Sequence, residues 1–185
     1  EEKYLEAKLD YTEKRAEKAV KAAEKRGTDY YASKWIMRHL LTMEALQKPS
    51  TEIEQYCKER WEYADVRKYY IQNCIEREDF DEAIAVLKES ILLDEDYRGL
   101  VKDYSQTLKD IYRQTGNREA YRKQLWDLML KDDAGSVDVY KELRGEYKTE
   151  EWVHVREEIF SKLPTYAAID QLYKEDELYD KLLDY

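Results

Sequence analysis

The first 48 residues of the chain carry a hydrophobic pattern that predicts two consecutive helices. Between residues 3 and 26, apolar or small side chains recur every three or four positions, as they do on one face of an α-helix. Gly27 is expected to end this helix, because glycine is the usual residue just after a helical C-terminus. Asp29 is placed to cap a second helix, which Pro49 ends. Residues 1–48 are therefore predicted to form a long N-terminal helical hairpin.

A shorter helix is predicted after this hairpin. Ser50 or Thr51 can supply its N-terminal cap, and its apolar stripe is expected to extend to Trp61. The pattern changes phase near Ala64, which predicts that a new helix begins there.

Four short polar segments divide the remainder of the chain and predict helix pairs. Each segment lies between two amphipathic stripes, so we expect each to join two antiparallel helices. When one residue of each second helix is aligned with its counterpart in the next pair, the spacings are 37, 32 and 29 residues. These spacings are typical of stacked helical repeats. The turns lie at residues 77–79, 114–117, 147–149 and 175–176, and the aligned residues are Ala83, Ala120, Trp152 and Lys181.

This pattern predicts an all-α fold. Only 5 Gly and 2 Pro occur among 185 residues, a composition that favours long helices over turn-rich sheets. A single helix pair buries one stripe only and cannot offset the conformational entropy of its own chain, so each pair is expected to stack on its neighbours. We therefore predict an α-α superhelix of antiparallel helix pairs, in which residues 50–185 form one continuous solenoid.

One of the predicted turns resembles a known repeat family. Residues 78–84, with the sequence Glu-Asp-Phe-Asp-Glu-Ala-Ile, resemble the turn into the second helix of a tetratricopeptide repeat, and residues 116–121 do so more loosely. The ring of Phe80 can pack back onto the first helix, while the small Ala83 lets the two helices approach. Larger residues take the place of Ala83 in the last two pairs. The fold is accordingly predicted to be tetratricopeptide-like.

A second resemblance covers residues 50–185. The segments 92–101, 111–121 and 172–183 look like parts of the C-terminal helical region of bacterial SWIM-type zinc-finger proteins. The metal site of that family is a Cys-x-Cys followed by a Cys-x-His, and this spacing does not occur in the sequence. The resemblance therefore implies a zinc finger elsewhere in a parent protein and carries over no zinc ligand. The chain begins without Met and ends within an amphipathic pattern, which also predicts a fragment.

Charge is distributed unevenly along the chain, whose formal net charge is −10. Residues 1–48 contain 11 basic and 9 acidic residues, whereas the remainder contains 21 and 33. An acidic array repels phosphate backbones, which makes nucleic acid an unfavourable partner. No apolar run approaches the roughly 20 residues of a membrane-spanning helix, and the first residues do not resemble a signal peptide. The chain is therefore predicted to be soluble and cytoplasmic, with no membrane partner.

Few residues are available for catalysis or metal binding. Sequence signatures of phosphate loops, zinc proteases and serine hydrolases do not occur in the sequence. His39 is expected to be packed and hydrogen-bonded, with a ligand or pH-sensor role as the alternative, and His154 to be exposed. Cys57 and Cys74 are expected to be reduced, half-buried thiols, with a disulfide as the alternative. The acidic run 94–96 lacks the spacing of a calcium loop and is expected to separate two helices.

We therefore predict no catalytic residue, no cofactor and no metal site. A hidden carboxylate pair between helices stays open as an enzymatic alternative.

Aromatic residues indicate where a partner could bind. The first helices of such pairs line the concave side of a repeat array, and rings on that side often contact peptides. Most of these tyrosines are expected to pack in the core, and a contiguous remainder would form the binding surface. Arg67, Lys68 and Arg113 could add charge for an acidic partner. The tyrosines concerned are Tyr69, Tyr70, Tyr104, Tyr112, Tyr140 and Tyr173.

The predicted function is that of a protein-protein interaction scaffold built of helical repeats, without intrinsic catalysis. Its partner would be a protein or peptide segment, or another domain of the parent chain. The alternative is a structural region that positions an upstream zinc-binding, nucleic-acid-binding finger.

Overall fold

A computed structural model describes residues 2–26 and 29–184, and this part of the chain is almost entirely helical. It contains eleven α-helices, one π-helix and no β-strand, which confirms the predicted all-α class. None of the helices described combines the length and the hydrophobicity that crossing a bilayer requires. The α-helices are α1 (Glu2–Arg26), α2 (Asp29–Ala45), α3 (Ser50–Lys58), α4 (Ala64–Glu76), α5 (Phe80–Leu93), α6 (Arg98–Gln114), α7 (Arg118–Asp127), α8 (Val137–Arg144), α9 (Thr149–Lys162), α10 (Ile169–Glu175) and α11 (Tyr179–Leu183), and the π-helix Leu128–Asp132 follows α7.

The chain divides into two compact units. Unit 1 comprises residues 1–86 and unit 2 comprises residues 87–185, with the division falling within α5. The predicted division near residue 48 corresponds to the turn between α2 and α3, inside unit 1.

In unit 1, α1 and α2 pack together as the predicted hairpin. Ala16, Ala19 and Ala23 of α1 are buried, as are Ala32 and Ile36 of α2. Small side chains on both helices allow the two axes to come close. An alanine-rich stripe is therefore sufficient to pack α1 against α2.

The ends of this hairpin are only partly described. Gly27, the predicted stop, lies outside the described residues. α2 begins at Asp29 itself, and the side chain of this predicted cap lies outside the description as well.

The start of α3 differs from the prediction. Pro49 occupies the N-cap position, with φ −52° and ψ 139°, and no side chain caps the helix. Ser50 and Thr51 are instead the first two helical residues, because the fixed φ of proline already sets the direction of the chain. Trp61 lies in the turn beyond α3, and α4 begins at Ala64 as predicted.

Three of the predicted turns share one backbone geometry. Glu78, Gly116 and Glu177 each follow a helix end and have positive φ angles of 60°, 71° and 55°. The N–H of the next residue then donates to the carbonyl five positions earlier, at 2.8, 3.0 and 2.8 Å. This left-handed cap satisfies carbonyl groups that the helix end would otherwise leave unpaired.

The turn between α8 and α9 is different. Gly145 has a φ of −63°, so the left-handed cap is not used there. The second helix of this pair begins at Thr149, within the segment that the sequence predicted as a turn.

A buried carboxylate connects the later helices of unit 2. Asp176, between α10 and α11, accepts hydrogen bonds from Tyr140 (2.9 Å), Trp152 (3.0 Å), Arg144 (2.9 Å) and Arg156 (3.3 Å). Burial by itself raises the pKa of Asp176, but these donors outweigh it and hold the pKa below its usual value. The carboxylate therefore fixes α8 and α9 to the α10–α11 turn.

Candidate functional site

Five of the nine residues predicted to contact a partner lie in the core. Their exposed fractions are at most 8%, so their side chains have little surface to offer a partner. The prediction that Arg67 contacts an acidic partner was wrong, because its buried guanidinium donates to the backbone carbonyl of Trp61. The five residues are Arg67, Tyr70, Tyr104, Tyr112 and Tyr140.

The hydroxyl groups of three of these buried tyrosines have a structural role. Each hydroxyl donates to a carboxylate on a neighbouring element of the same unit, which satisfies the polar end of a buried ring. The pairs are Tyr70 with Glu82 at 3.0 Å, Tyr104 with Asp94 at 2.7 Å and Tyr140 with Asp176 at 2.9 Å.

The other four predicted residues keep some exposure. Arg113 is exposed and pairs with Asp110 at 3.0 Å. Tyr173 is half-buried, and its ring meets the edge of Phe160 with centroids 4.9 Å apart. Lys68 and Tyr69 are half-buried on α4 of unit 1. The predicted aromatic lining is thus largely core packing.

A groove in unit 2 offers a more accessible surface. Two cavities of about 420 and 470 Å³ share Ile91, Leu92, Lys131 and Asp132 in their linings, and together they form what we call the unit 2 groove. One part of its wall comes from residues 88–98, at the end of α5 and the start of α6, and from the rest of α6 as far as residue 112. The other part comes from residues 120–127 of α7, from the π-helix and from Tyr166.

Helical periodicity explains the floor of the groove. Val101, Ser105, Leu108 and Tyr112 of α6 follow one another at intervals of three or four residues, so they share one face of the helix. All four are buried beneath the groove. The floor is therefore rigid and mostly apolar.

Large apolar groups stand at the rim. Leu92 is 71% exposed although it lines both cavities, and Tyr166 is 65% exposed. The guanidinium of Arg98 lies over the Tyr166 ring, 5.5 Å from its centroid. An apolar side chain that is so open at the edge of a groove is available to pack against a ligand.

The π-helix places two charged residues at the groove. The N–H of Asp133 donates to the carbonyl of Leu128 at 2.9 Å, which is the five-residue step of a π-turn. Leu128 and Met129 stay fully buried, while Lys131 and Asp132 line both cavities. Ser105 donates to Asp132 at 2.5 Å and anchors this turn to α6.

Charge differs between the two cavities of the groove. The cavity nearer α7 is lined by Lys88 and Lys123, whereas the other is lined by Glu95 and Asp96. Lys131 lies between them. Within the described part of the chain, these three lysines form no direct ion pair with a carboxylate.

The cavity nearer α7 is also lined by Asp127, whose pKa burial raises and the charges of Lys123 and Lys131 lower. The other cavity is also lined by Arg98, and Asp132 lines both. The cavity nearer α7 therefore has a small excess of positive charge and the other a small excess of negative charge.

The histidines and cysteines of the chain lie outside the unit 2 groove. His39 is buried and hydrogen-bonded, His154 is exposed, and both cysteines are free and buried. The acidic run 94–96 separates α5 from α6, as predicted. Among residues 2–26 and 29–184, the structure contains no group of three or more His, Cys, Asp or Glu side chains that could hold a metal ion.

Comparisons of the chain with protein-family models, with curated proteins and with solved structures return no match.

Among the groove residues, Tyr112 belongs to the nine that the sequence predicted to contact a partner, and the others were not predicted. Ile91, on the apolar stripe of α5, is only half-buried and lines the groove. A usable signal was present in Leu92 and Leu93, which extend the apolar run of α5 around the helix toward a side that is otherwise polar.

Proposed function

We propose that this protein is a helical-repeat interaction module and that the unit 2 groove binds a segment of another protein. The observation that carries the proposal is the exposed side chain of Leu92 at the rim of a groove with an apolar floor, where Lys88 and Lys123 also stand. Such a surface combines an apolar anchor with charges that can fix the register of a ligand.

The architecture supports a repeat protein. In unit 2, α6 with α7, α8 with α9, and α10 with α11 follow the predicted order of helix, turn and helix. We therefore propose a tetratricopeptide-like arrangement of these pairs, in which the groove is a concave surface of the array.

The charges of the groove define its occupant. A segment with acidic residues would pair with Lys88 and Lys123 in the cavity nearer α7, while basic residues would pair with Glu95 and Asp96. Two or more large apolar side chains between them would pack on Leu92 and the floor. The proposed partner is thus a peptide segment with an apolar centre, an acidic flank and a basic flank.

Synthetic peptides of this composition provide the test. We expect the wild-type protein to bind such peptides and Leu92→Glu to weaken binding by at least about tenfold, because the variant loses an apolar contact and places a charge in its position. Val153→Glu is the matched control, since Val153 is also exposed, at 45%, on α9 outside the groove. Fluorescence anisotropy of labelled peptides measures both variants.

Circular dichroism is expected to show the same helicity for both variants, because both positions are on the surface. Equal peptide affinity in Leu92→Glu and Val153→Glu would contradict the proposal, as would peptides that bind regardless of their apolar centre.

A further inference from the structure

A second cavity lies in unit 1 and is independent of the proposed groove. It has a volume of about 330 Å³ and lies between α3 and α4, with the end of α2 at its rim. This size is at the lower limit of small-ligand sites in proteins.

One wall of the cavity is apolar. It includes Ile53, Cys57 and the ring of Tyr70. Cys57 is 1% exposed, and burial raises the pKa of its thiol to about 12, so the thiol stays neutral and behaves as an apolar surface. This wall can pack against a short aliphatic chain.

A buried hydroxyl lacks a hydrogen bond at the cavity. The oxygen of Tyr69 is inaccessible to solvent and makes no hydrogen bond of acceptable geometry with the described residues, although Asn73 and Glu44 are its polar neighbours. Burial raises the pKa of Tyr69, so the hydroxyl stays protonated and its oxygen can accept a hydrogen bond. An unsatisfied buried hydroxyl is unfavourable, and a donor from a ligand would relieve it.

The charged residues of the cavity are predominantly acidic. Glu44, Glu54 and Glu76 line it together with a single cation, Arg77. Arg77 is committed to Glu54, and its guanidinium also approaches the sulfur of Cys74 at 3.4 Å.

Two of these carboxylates remain for a ligand. Glu76 accepts a hydrogen bond from Gln72 at 2.9 Å. In the described residues, neither Glu44 nor Glu76 forms an ion pair. The excess negative charge at the cavity is therefore not neutralised by the protein itself, whereas the Glu54–Arg77 pair shows that this wall accommodates a guanidinium.

We propose that the unit 1 cavity binds an organic cation, namely an ammonium or guanidinium group on a short aliphatic stem. The stem packs on Ile53 and Cys57, and the cationic head donates hydrogen bonds to the Tyr69 oxygen and to the carboxylates of Glu44 and Glu76. A bare metal ion does not fit, because the described residues bring no three potential ligands close enough. An anion is excluded by the surplus of carboxylates.

Four probes of similar size test this assignment by NMR titration of the full chain. n-Butylammonium and n-butylguanidinium are expected to bind saturably in the millimolar range, with shift changes in α3 and α4. n-Butanol and n-butyrate are expected to bind far more weakly, because they lack the cationic donor. A capped lysine amide is compared with n-butylammonium. The comparison distinguishes a lysine side chain of another protein from a small free amine as the source of the cation.

Variants assign the binding to the cavity. Glu44→Gln and Glu76→Gln are each expected to weaken n-butylammonium binding by roughly fivefold, the effect of one partly exposed ion pair. Tyr69→Phe is expected to weaken it by about tenfold, because a hydrogen bond to a charged group is lost. Glu52→Gln, on the exposed side of α3 and outside the cavity, is the matched control.

Tyr69→Phe also separates binding from folding. Since the hydroxyl has Asn73 and Glu44 as polar neighbours but makes no hydrogen bond of acceptable geometry with the described residues, its removal is expected to change the stability of unit 1 little. The proposal is overturned if n-butanol binds as tightly as n-butylammonium, if no saturable binding occurs at tens of millimolar, or if the cavity variants match Glu52→Gln. These results leave the proposal for the unit 2 groove unaffected, because the two sites share no residue.

Discussion

At the scale of single residues, His39 links the packing of unit 1 to pH. Its side chain is 4% exposed, its Nδ1 lies 3.0 Å from the hydroxyl of Thr12, and its ring packs on Tyr56 with centroids 4.7 Å apart. The Thr12 hydroxyl is within donating distance of two backbone carbonyls, at 2.9 and 3.0 Å, so the His39 tautomer with its proton on Nδ1 satisfies both side chains. Burial lowers the pKa of His39, and the nearby charges of Glu13 and Arg60 act in opposite directions.

The lowered pKa has a defined consequence for stability. Below about pH 6.5 the unfolded chain binds a proton at His39 while the folded chain does not, so the free energy of unfolding falls by up to about 1.4 kcal/mol per pH unit until the folded pKa is reached. Urea unfolding between pH 7.5 and pH 5 measures this slope. His39→Gln keeps a neutral polar group next to Thr12 and is expected to remove the contribution.

His154, the other histidine of the chain, provides the matched control. It is exposed on α9, so His154→Gln is expected to leave the pH dependence of unfolding as in the wild type. An unchanged slope in His39→Gln would show that the ring is not the group that titrates.

Burial of individual residues was only partly predictable from the sequence. The stripe containing His39 predicted a packed, hydrogen-bonded ring, and the structure confirms it. Arg67 was not predictable as buried, because the carbonyl of Trp61 that accepts its hydrogen bond becomes available only when the turn before α4 folds. A charged residue is usually exposed, and only a specific partner reverses that preference.

At the scale of elements, the repeated left-handed turn gives a direct test of backbone geometry. Gly116 has a φ of 71°, and a Cβ added there would meet no atom within 4 Å. Gly116→Ala is therefore expected to lower the free energy of unfolding by about 1 kcal/mol, purely through the strain of a left-handed conformation. Thermal or urea unfolding of the full chain measures the change.

Gly99, in the first turn of α6, is the matched control. A Cβ there would also meet nothing within 4 Å, but its backbone is helical. Gly99→Ala is expected to raise the free energy of unfolding by about 0.5 kcal/mol, because alanine restricts the unfolded chain. If both substitutions change stability in the same direction, the left-handed cap at Gly116 is not the source of the effect.

Turns were easier to predict than helix ends. Short polar segments between amphipathic stripes located the turns before α5 and α7, because a break in hydrophobic periodicity is visible in the sequence. The π-helix after α7 was not predicted, since its single extra residue alters hydrogen bonding without altering the local composition. The side chains that it places in the unit 2 groove were therefore not predicted from the sequence.

At the scale of the whole molecule, the all-α class followed from composition and periodicity, whereas the predicted binding residues include only Tyr112 of the unit 2 groove and Tyr69 and Tyr70 of the unit 1 cavity. The unit 2 groove combines side chains from α5, α6, α7, the π-helix and Tyr166. No local pattern marks residues that meet only through tertiary packing. The resemblance to the SWIM-type zinc-finger region and the cytoplasmic location stay predictions.

The most direct test of the proposed function is a charge reversal at Lys88 and Lys123 of the unit 2 groove. Two peptides with the same apolar centre, one flanked only by acidic residues and one only by basic residues, are compared on the wild type and on the double variant Lys88→Glu/Lys123→Glu. The double variant is expected to lose affinity for the acidic peptide by about tenfold or more and to gain affinity for the basic peptide. Lys18→Glu/Lys21→Glu, at two exposed positions of α1, makes the same change in net charge and is the control. Unchanged preferences in the groove variant, or an equal change in the α1 variant, would contradict the assignment of the groove as the binding site.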